Sequence, residues 1–108
     1  MASTVVDVTD ADFDAKAVKA SGTVLAVFRA EWSDVCRALD PVLADVAKEY
    51  ANRITICRLD IDKSPETPRK YNITAIPTLH VFQGGKIADT WIGPANKTRV
   101  VNLISPHT

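Results

Sequence analysis

Apolar and polar positions along this chain follow two periods, one of two residues and one near 3.6, and the two alternate from end to end. Thr4 to Val8 reads as a short strand. From Asp10 to Ala20 the apolar residues Phe13, Ala17 and Val18 fall at helical spacing, and Gly22 stops the run. Thr23 to Ala30 is almost continuously β-branched or apolar, the pattern of a central strand covered on both faces. A long helix is predicted from Ser33 to about Tyr50, with Val35, Leu39, Leu43, Val46, Ala47 and Tyr50 along one stripe and a kink at Pro41. Then come a strand over Ile54 to Ile61, a short helix over Pro65 to Lys70 and a strand over Thr78 to Phe82. Gly84-Gly85 turns that strand into a hairpin with Lys86 to Ile92, Gly93-Pro94 breaks the chain, and a helix over Asn96 to Ile104 closes it. The predicted order is βαβαβαββα, an α/β arrangement. No linker, repeat or low-complexity stretch interrupts it. A single domain over residues 1–108 is expected, large enough to bury about 65% of the surface of its unfolded chain.

Charge and cysteine content narrow the function classes. The chain has 13 basic and 13 acidic residues, so no global field gathers nucleic acid or anionic lipid, and neither is an expected partner. The start, MASTVVDVTDADF, lacks a basic segment followed by a long apolar one, and no later stretch has the length of a membrane span. A cytoplasmic address and a monomer without membrane contact are expected. Two cysteines, Cys36 and Cys57, are too few for a disulfide framework, which agrees with a reducing compartment. No group of side chains at ligand spacing calls for a metal, and no cofactor is expected.

The most informative segment is Ala30-Glu31-Trp32-Ser33-Asp34-Val35-Cys36-Arg37, where a strand passes into a helix. It has the outline of a CxxC redox motif with oxygen in place of the first sulfur. A helix N-terminus stabilises a thiolate, whose parent thiol titrates at about pH 8.5. A serine hydroxyl stays protonated there, and no His or Lys lies within several residues to take its proton. Ser33 has an ordinary alternative role as N-cap of the helix.

Over about residues 4 to 104 the chain resembles the thioredoxin family. The resemblance is carried by Ala30-Glu31-Trp32, Cys36-Arg37, Pro41, Leu59 with Ile61-Asp62, and Tyr71-Asn72-Ile73. It continues through Ile76-Pro77-Thr78, Phe82 followed by Gly84-Gly85-Lys86, and Gly93. It implies the thioredoxin fold, a central mixed five-stranded sheet flanked by four helices. It also implies a cis-proline loop at Ile76-Pro77 facing the active-site helix. Trp32, Ile76, Pro77 and Gly93 would then line a shallow apolar groove for an extended polypeptide. That reading is preferred over Pro77 as a strand-start proline and Trp32 as mere packing.

Several positions depart from the family. Ser33 stands where the family has its attacking cysteine, so no mixed disulfide can begin there. Asp34-Val35 replace Gly-Pro, and the Asp34 charge opposes a thiolate at Cys36. Val27 stands where the resemblance implies a buried aspartate that helps move the proton of the second cysteine. Arg29 replaces an aromatic residue, and Arg58 falls where the family has a lysine near that acid. Two readings of Cys36 follow. The preferred one is an inert thiol left from an ancestral pair; the other is a monothiol site whose thiolate is favoured by Arg58, freed from its counterion by Val27.

The remaining candidates have ordinary explanations. Cys57 suits an apolar core position, and a Cys36 to Cys57 bridge is not expected. His80 reads as a core histidine with a hydrogen-bond partner, and His107 as part of an uninformative polar tail. Asp60, Asp62, Lys63 and Glu66 suit a solvated surface better than a cation site. Trp91 is left between groove lining and packing for the last helix.

Function is therefore expected to lie in the thiol-disulfide oxidoreductase lineage. The first reading has disulfide reductase activity weak or absent and polypeptide binding kept. The alternative is a redox-active protein-disulfide reductase of this family in which Ser33 replaces a native cysteine by engineering or in a specialised lineage, with a thioredoxin reductase as partner. A purely structural subunit is the third class.

Overall fold

The computed structural model describes residues 5–108, so Thr4, the expected start of the first strand, lies outside the described residues. The sheet contains β1 (Val6–Val8), β2 (Thr23–Arg29), β3 (Ile54–Asp60), β4 (Thr78–Gln83) and β5 (Lys86–Ile92) in the order β1-β3-β2-β4-β5. Strands β1, β3 and β2 run parallel, and β4 and β5 are antiparallel to their neighbours, giving the mixed five-stranded sheet. The helical segments are a π-helical turn at Asp14–Val18, α1 (Asp34–Glu49), α2 (Glu66–Lys70) and α3 (Lys97–Ile104), followed by a 3-10 turn at Ser105–His107.

Period-two alternation sorts the strands onto two cores. Leu25, Val27, Ile54, Ile56, Leu79 and Val81 face α1 and α3, where they meet Leu39, Leu43, Val46, Val100 and Ile104. Val24, Ala26, Phe28, Cys57, Leu59 and Phe82 face the other way, onto Phe13 and Ala17 of the first helical segment. Strand β2 is buried along its whole length, as its unbroken apolar run predicts. Gly84 and Gly85 both take positive φ, +59° and +81°, and close the β4–β5 hairpin.

Three local expectations need correction. The first helix does not span Asp10 to Ala20. Asp12 instead caps the Thr9 amide at 2.6 Å, and the Asp10 carboxylate accepts the amides of Glu66 and Thr67, so residues 9–12 serve turns and a distant helix start. What remains is a wide turn in which the Lys19 amide reaches the Asp14 carbonyl at 2.8 Å. On α1 the buried stripe runs through Cys36, Leu39, Leu43, Val46 and Ala47, whereas Val35 is exposed. The chain's end is not a free tail. The His107 carbonyl accepts from Thr23 Oγ1 at 2.5 Å and Gln83 Nε2 at 2.8 Å, and its ring lies 3.3 Å from Asp89 Oδ2, which pins the 3-10 turn across β2, β4 and β5.

Candidate functional site

Strand β2 ends at Arg29, and the chain crosses Ala30, Glu31 and Trp32 before α1 begins. Ser33 is the N-cap of α1. Its backbone is extended, with φ −86° and ψ 120°, and its Oγ accepts the Cys36 N–H at 3.3 Å. That satisfies one of the amides a helix start leaves without an intrahelical partner. Asp34 occupies the first turn with its carboxylate on the helix dipole and pairs with Arg37, which also donates to the Glu31 carbonyl at 2.7 Å. Cys36 is only 1% exposed and belongs to the buried stripe of α1.

Towards α1 the sheet presents hydrocarbon and cations. Val27 is buried against α1, and Arg58 stands beside it in register on β3. Arg58 does not lack a counterion. Its Nε donates to Asp7 Oδ1 at 2.6 Å and one of its terminal nitrogens lies 3.2 Å from Asp40 Oδ1. The bond to Asp7, then the charges of Asp7 and Asp40, outweigh burial and raise the already high guanidinium pKa. The same Asp40 accepts from Arg29 at 3.1 Å, and Arg29 is nearly buried. Asp40 therefore joins α1 to both β2 and β3, and the expected turn of Arg58 towards Cys36 is replaced by two carboxylates. Sequence reasoning missed Asp40, although an acid four residues after Cys36 sits one turn along the same helix face.

The Ile76–Pro77 peptide bond is cis. Pro77 is buried, its carbonyl accepts the Gly93 N–H at 2.9 Å, and Gly93 adopts φ +109°. Trp32 is 67% exposed, with its indole N–H donated to Asp62 Oδ2 at 2.7 Å. A shallow concavity of about 220 Å³ is lined by Trp32, Ile61, Ile73, Thr74, Ala75 and Ile76. Of the four groove residues expected from sequence, Trp32 and Ile76 line this concavity. Pro77 and Gly93 are tied to each other and do not line it. Ile61, Ile73, Thr74 and Ala75 are additions to the expected set, although Ile73 to Ile76 form a short, mostly apolar stretch that runs into Pro77.

The secondary candidates resolve as follows. Cys57 is buried mid-strand, and burial pushes its thiol up to about 12, with the Asp12 charge adding to it. Both cysteines are free. His80 is buried among Phe28, Tyr71 and Phe82, with its Nδ1 3.0 Å from Thr90 Oγ1. Trp91 packs onto the last helix: its indole donates to the Pro94 carbonyl at 3.1 Å and the Arg99 guanidinium lies 4.2 Å from the ring centroid. Asp60 caps the turn after β3, accepting the amides of Asp62 and Lys63. Among the described residues no group of three or more His, Cys, Asp or Glu side chains is arranged to hold a metal, and no helix is long and apolar enough to cross a membrane.

A five-stranded mixed sheet with helices on both faces, a capped helix after the second strand and a cis-proline facing it define an α/β protein of the thioredoxin fold. The thioredoxin family model matches residues 4–106. Similar proteins include thioredoxin of Pseudomonas aeruginosa, 39% identical over 107 residues that make up 99% of each chain. Thioredoxin of Acidithiobacillus ferridurans is 37% identical over 104 residues, 96% of each chain. Thioredoxin of Staphylococcus aureus is 39% identical over 103 residues, 95% of this chain and 97% of its relative. The chain belongs to the thioredoxin family, the lineage of the thiol-disulfide oxidoreductases.

Proposed function

We propose that this chain is a thioredoxin-family polypeptide-binding protein whose disulfide reductase activity is weak or absent. The observation that carries the reading is the state of position 33. Its oxygen is engaged by the Cys36 amide, and the buried Val27 of β2 stands where the family resemblance implies a carboxylate able to accept a proton. Attack on a disulfide needs an anionic or base-activated nucleophile, and a neutral capping hydroxyl is neither. Cys36 is held in the helix stripe, so any residual redox step falls to it alone as a monothiol, linked to glutathione or to a partner's cysteine.

Binding rests on the concavity beside the cis bond, where Trp32 and Ile76 offer apolar surface to an extended segment while Pro77 and Gly93 hold the loop. A monomer in the cytoplasm, with a polypeptide as its partner and neither nucleic acid nor membrane, belongs to the same reading. The fold over 1–108 is proposed to act as one domain. The second reading, a working reductase silenced only by Ser33 and served by a thioredoxin reductase, is favoured by the retention of Cys36 three residues on.

Catalysed reduction of a protein disulfide, measured on this chain and on Ser33→Cys under one thiol reductant, separates the two. Silence of both supports the binding reading, because Val27 and Asp34-Val35 then already prevent the exchange. A strongly active variant beside a silent parent supports the second. Robust activity of the unaltered chain overturns the first outright.

A further inference from the structure

The charges around the groove define which extended segments it can take. The six residues lining the concavity carry no charge. Within two positions of them along the chain stand four carboxylates, Glu31, Asp34, Asp60 and Asp62, and one ammonium, Lys63. Two further cations stand close along the chain: Arg37 is bound to Asp34 and to the Glu31 carbonyl, and Lys70, three residues before Ile73, lies over the Tyr71 ring. Counting these three cations, four negative and three positive charges still leave the neighbourhood net negative, at −1, in a chain whose formal net charge is zero. Glu31, Asp34 and Asp62 are exposed. Beyond Pro77, the segment from Ile92 to Asn96 carries no charge to balance them. The Asp34–Arg37 pair is itself exposed, 89% and 54% at the two side chains, so it is held weakly and leaves Asp34 free to exchange partners.

We propose that the groove selects extended polypeptide segments in which lysine or arginine flanks an apolar centre. This rests on the groove reading above. The apolar side chain fills the concavity between Trp32 and Ile76, and the flanking cations lie over the carboxylates of Glu31, Asp34 and Asp62. Exposed opposite charges about 7 Å apart in water favour association about threefold each at low salt, so two of them contribute about tenfold. An acidic flank meets the same rim as repulsion, which makes the charge a means of rejecting segments as well as choosing them.

The test uses the full chain and three blocked peptides that share a valine-phenylalanine-valine centre and carry lysine, glutamine or glutamate on both flanks. Binding is read from the Trp32 indole N–H resonance, which reports the groove itself. The expected result is affinity in the order lysine, glutamine, glutamate, with about tenfold between the first two. That gap should narrow in about 0.5 M salt and in the double variant Glu31→Gln, Asp34→Asn. Three peptides binding equally would overturn the charge selection and leave the groove standing. A glutamate peptide that binds best would overturn it as well. An indole resonance that none of the three peptides moves would instead overturn the groove reading on which the proposal rests.

Discussion

The Cys36 amide donates to the Ser33 hydroxyl oxygen at 3.3 Å, so the atom that stands where a sulfur would attack is the atom that holds the helix start. Replacing an N-cap serine by alanine removes that acceptor and typically costs about 1 kcal/mol, whereas glycine costs only a few tenths. Ser33→Ala should lower the unfolding free energy by that amount, read as a lower urea midpoint at an unchanged slope, and Ser33→Gly should move the midpoint much less. Equal midpoints for Ser33→Ala and the parent would show that the cap contributes nothing.

Cys36 and Cys57 are each 1% exposed. A thiol reagent reaches such groups only when the surrounding structure opens. Burial holds the Cys57 thiol at about 12, so alkaline conditions short of unfolding do not help it. Both thiols should label at the rate of structural opening in buffer and rapidly in denaturant. Fast labelling of Cys36 in the folded protein would contradict its place in the α1 stripe and revive a reactive monothiol.

Much of the fold is legible in the sequence because its elements are marked by strong local signals. The unbroken apolar run of β2, the double glycine after Phe82 and the long amphipathic stripe through Leu39, Leu43 and Val46 each correspond to an element of the structure. The first helix is shorter than its apolar spacing predicts because nothing local shows that the Asp10 carboxylate is claimed by the amides of Glu66 and Thr67, 56 and 57 residues away. His107 reads as an uninformative tail in the sequence for the same reason, since its partners Thr23, Gln83 and Asp89 lie on three different strands. Ser33, Cys36 and Trp32 were visible as a motif. Asp40 was not, because an acid on a surface helix is commonplace until the two arginines facing it are known.

Asp40 meets Arg29 at 3.1 Å and Arg58 at 3.2 Å, and the Arg29 side chain is only 9% exposed while Asp40 is 31% exposed. Removing one member of a largely buried pair costs more than the pair's net worth, because the other charge stays desolvated. Partial exposure of Asp40 reduces the effect. Asp40→Asn should therefore destabilise by about 2 kcal/mol, and Arg29→Met in that background should recover a large part of the loss. A double variant no more stable than the single one would mean that Arg29 finds water or another partner and that the bridge does not hold α1 to β2.

His80 gives the fold a definite response to acid. Burial among the rings of Phe28, Tyr71 and Phe82 lowers its pKa below the ordinary 6.5, and its Nε2 has no hydrogen-bond partner among the described residues. Tyr71, the titratable member of that ring cluster, is raised by burial and by the Asp14 charge and stays neutral in the same range. The unfolded chain thus takes up a proton at position 80 before the folded one does. Stability is fully present above about pH 6.5, falls as the pH drops below it and continues to fall until the folded-state value is reached. Asp10 acts in a second, more acid window. Burial raises its carboxyl, but the Thr67 hydroxyl and the amides of Thr67 and Glu66 outweigh that and lower it, so its contribution is lost only below the usual carboxylate range. Urea midpoints measured from pH 7.5 to 3 on this chain and on His80→Leu should diverge in slope below about pH 6.5, with the variant flatter. Parallel curves across the upper window would show that His80 takes up its proton as easily folded as unfolded.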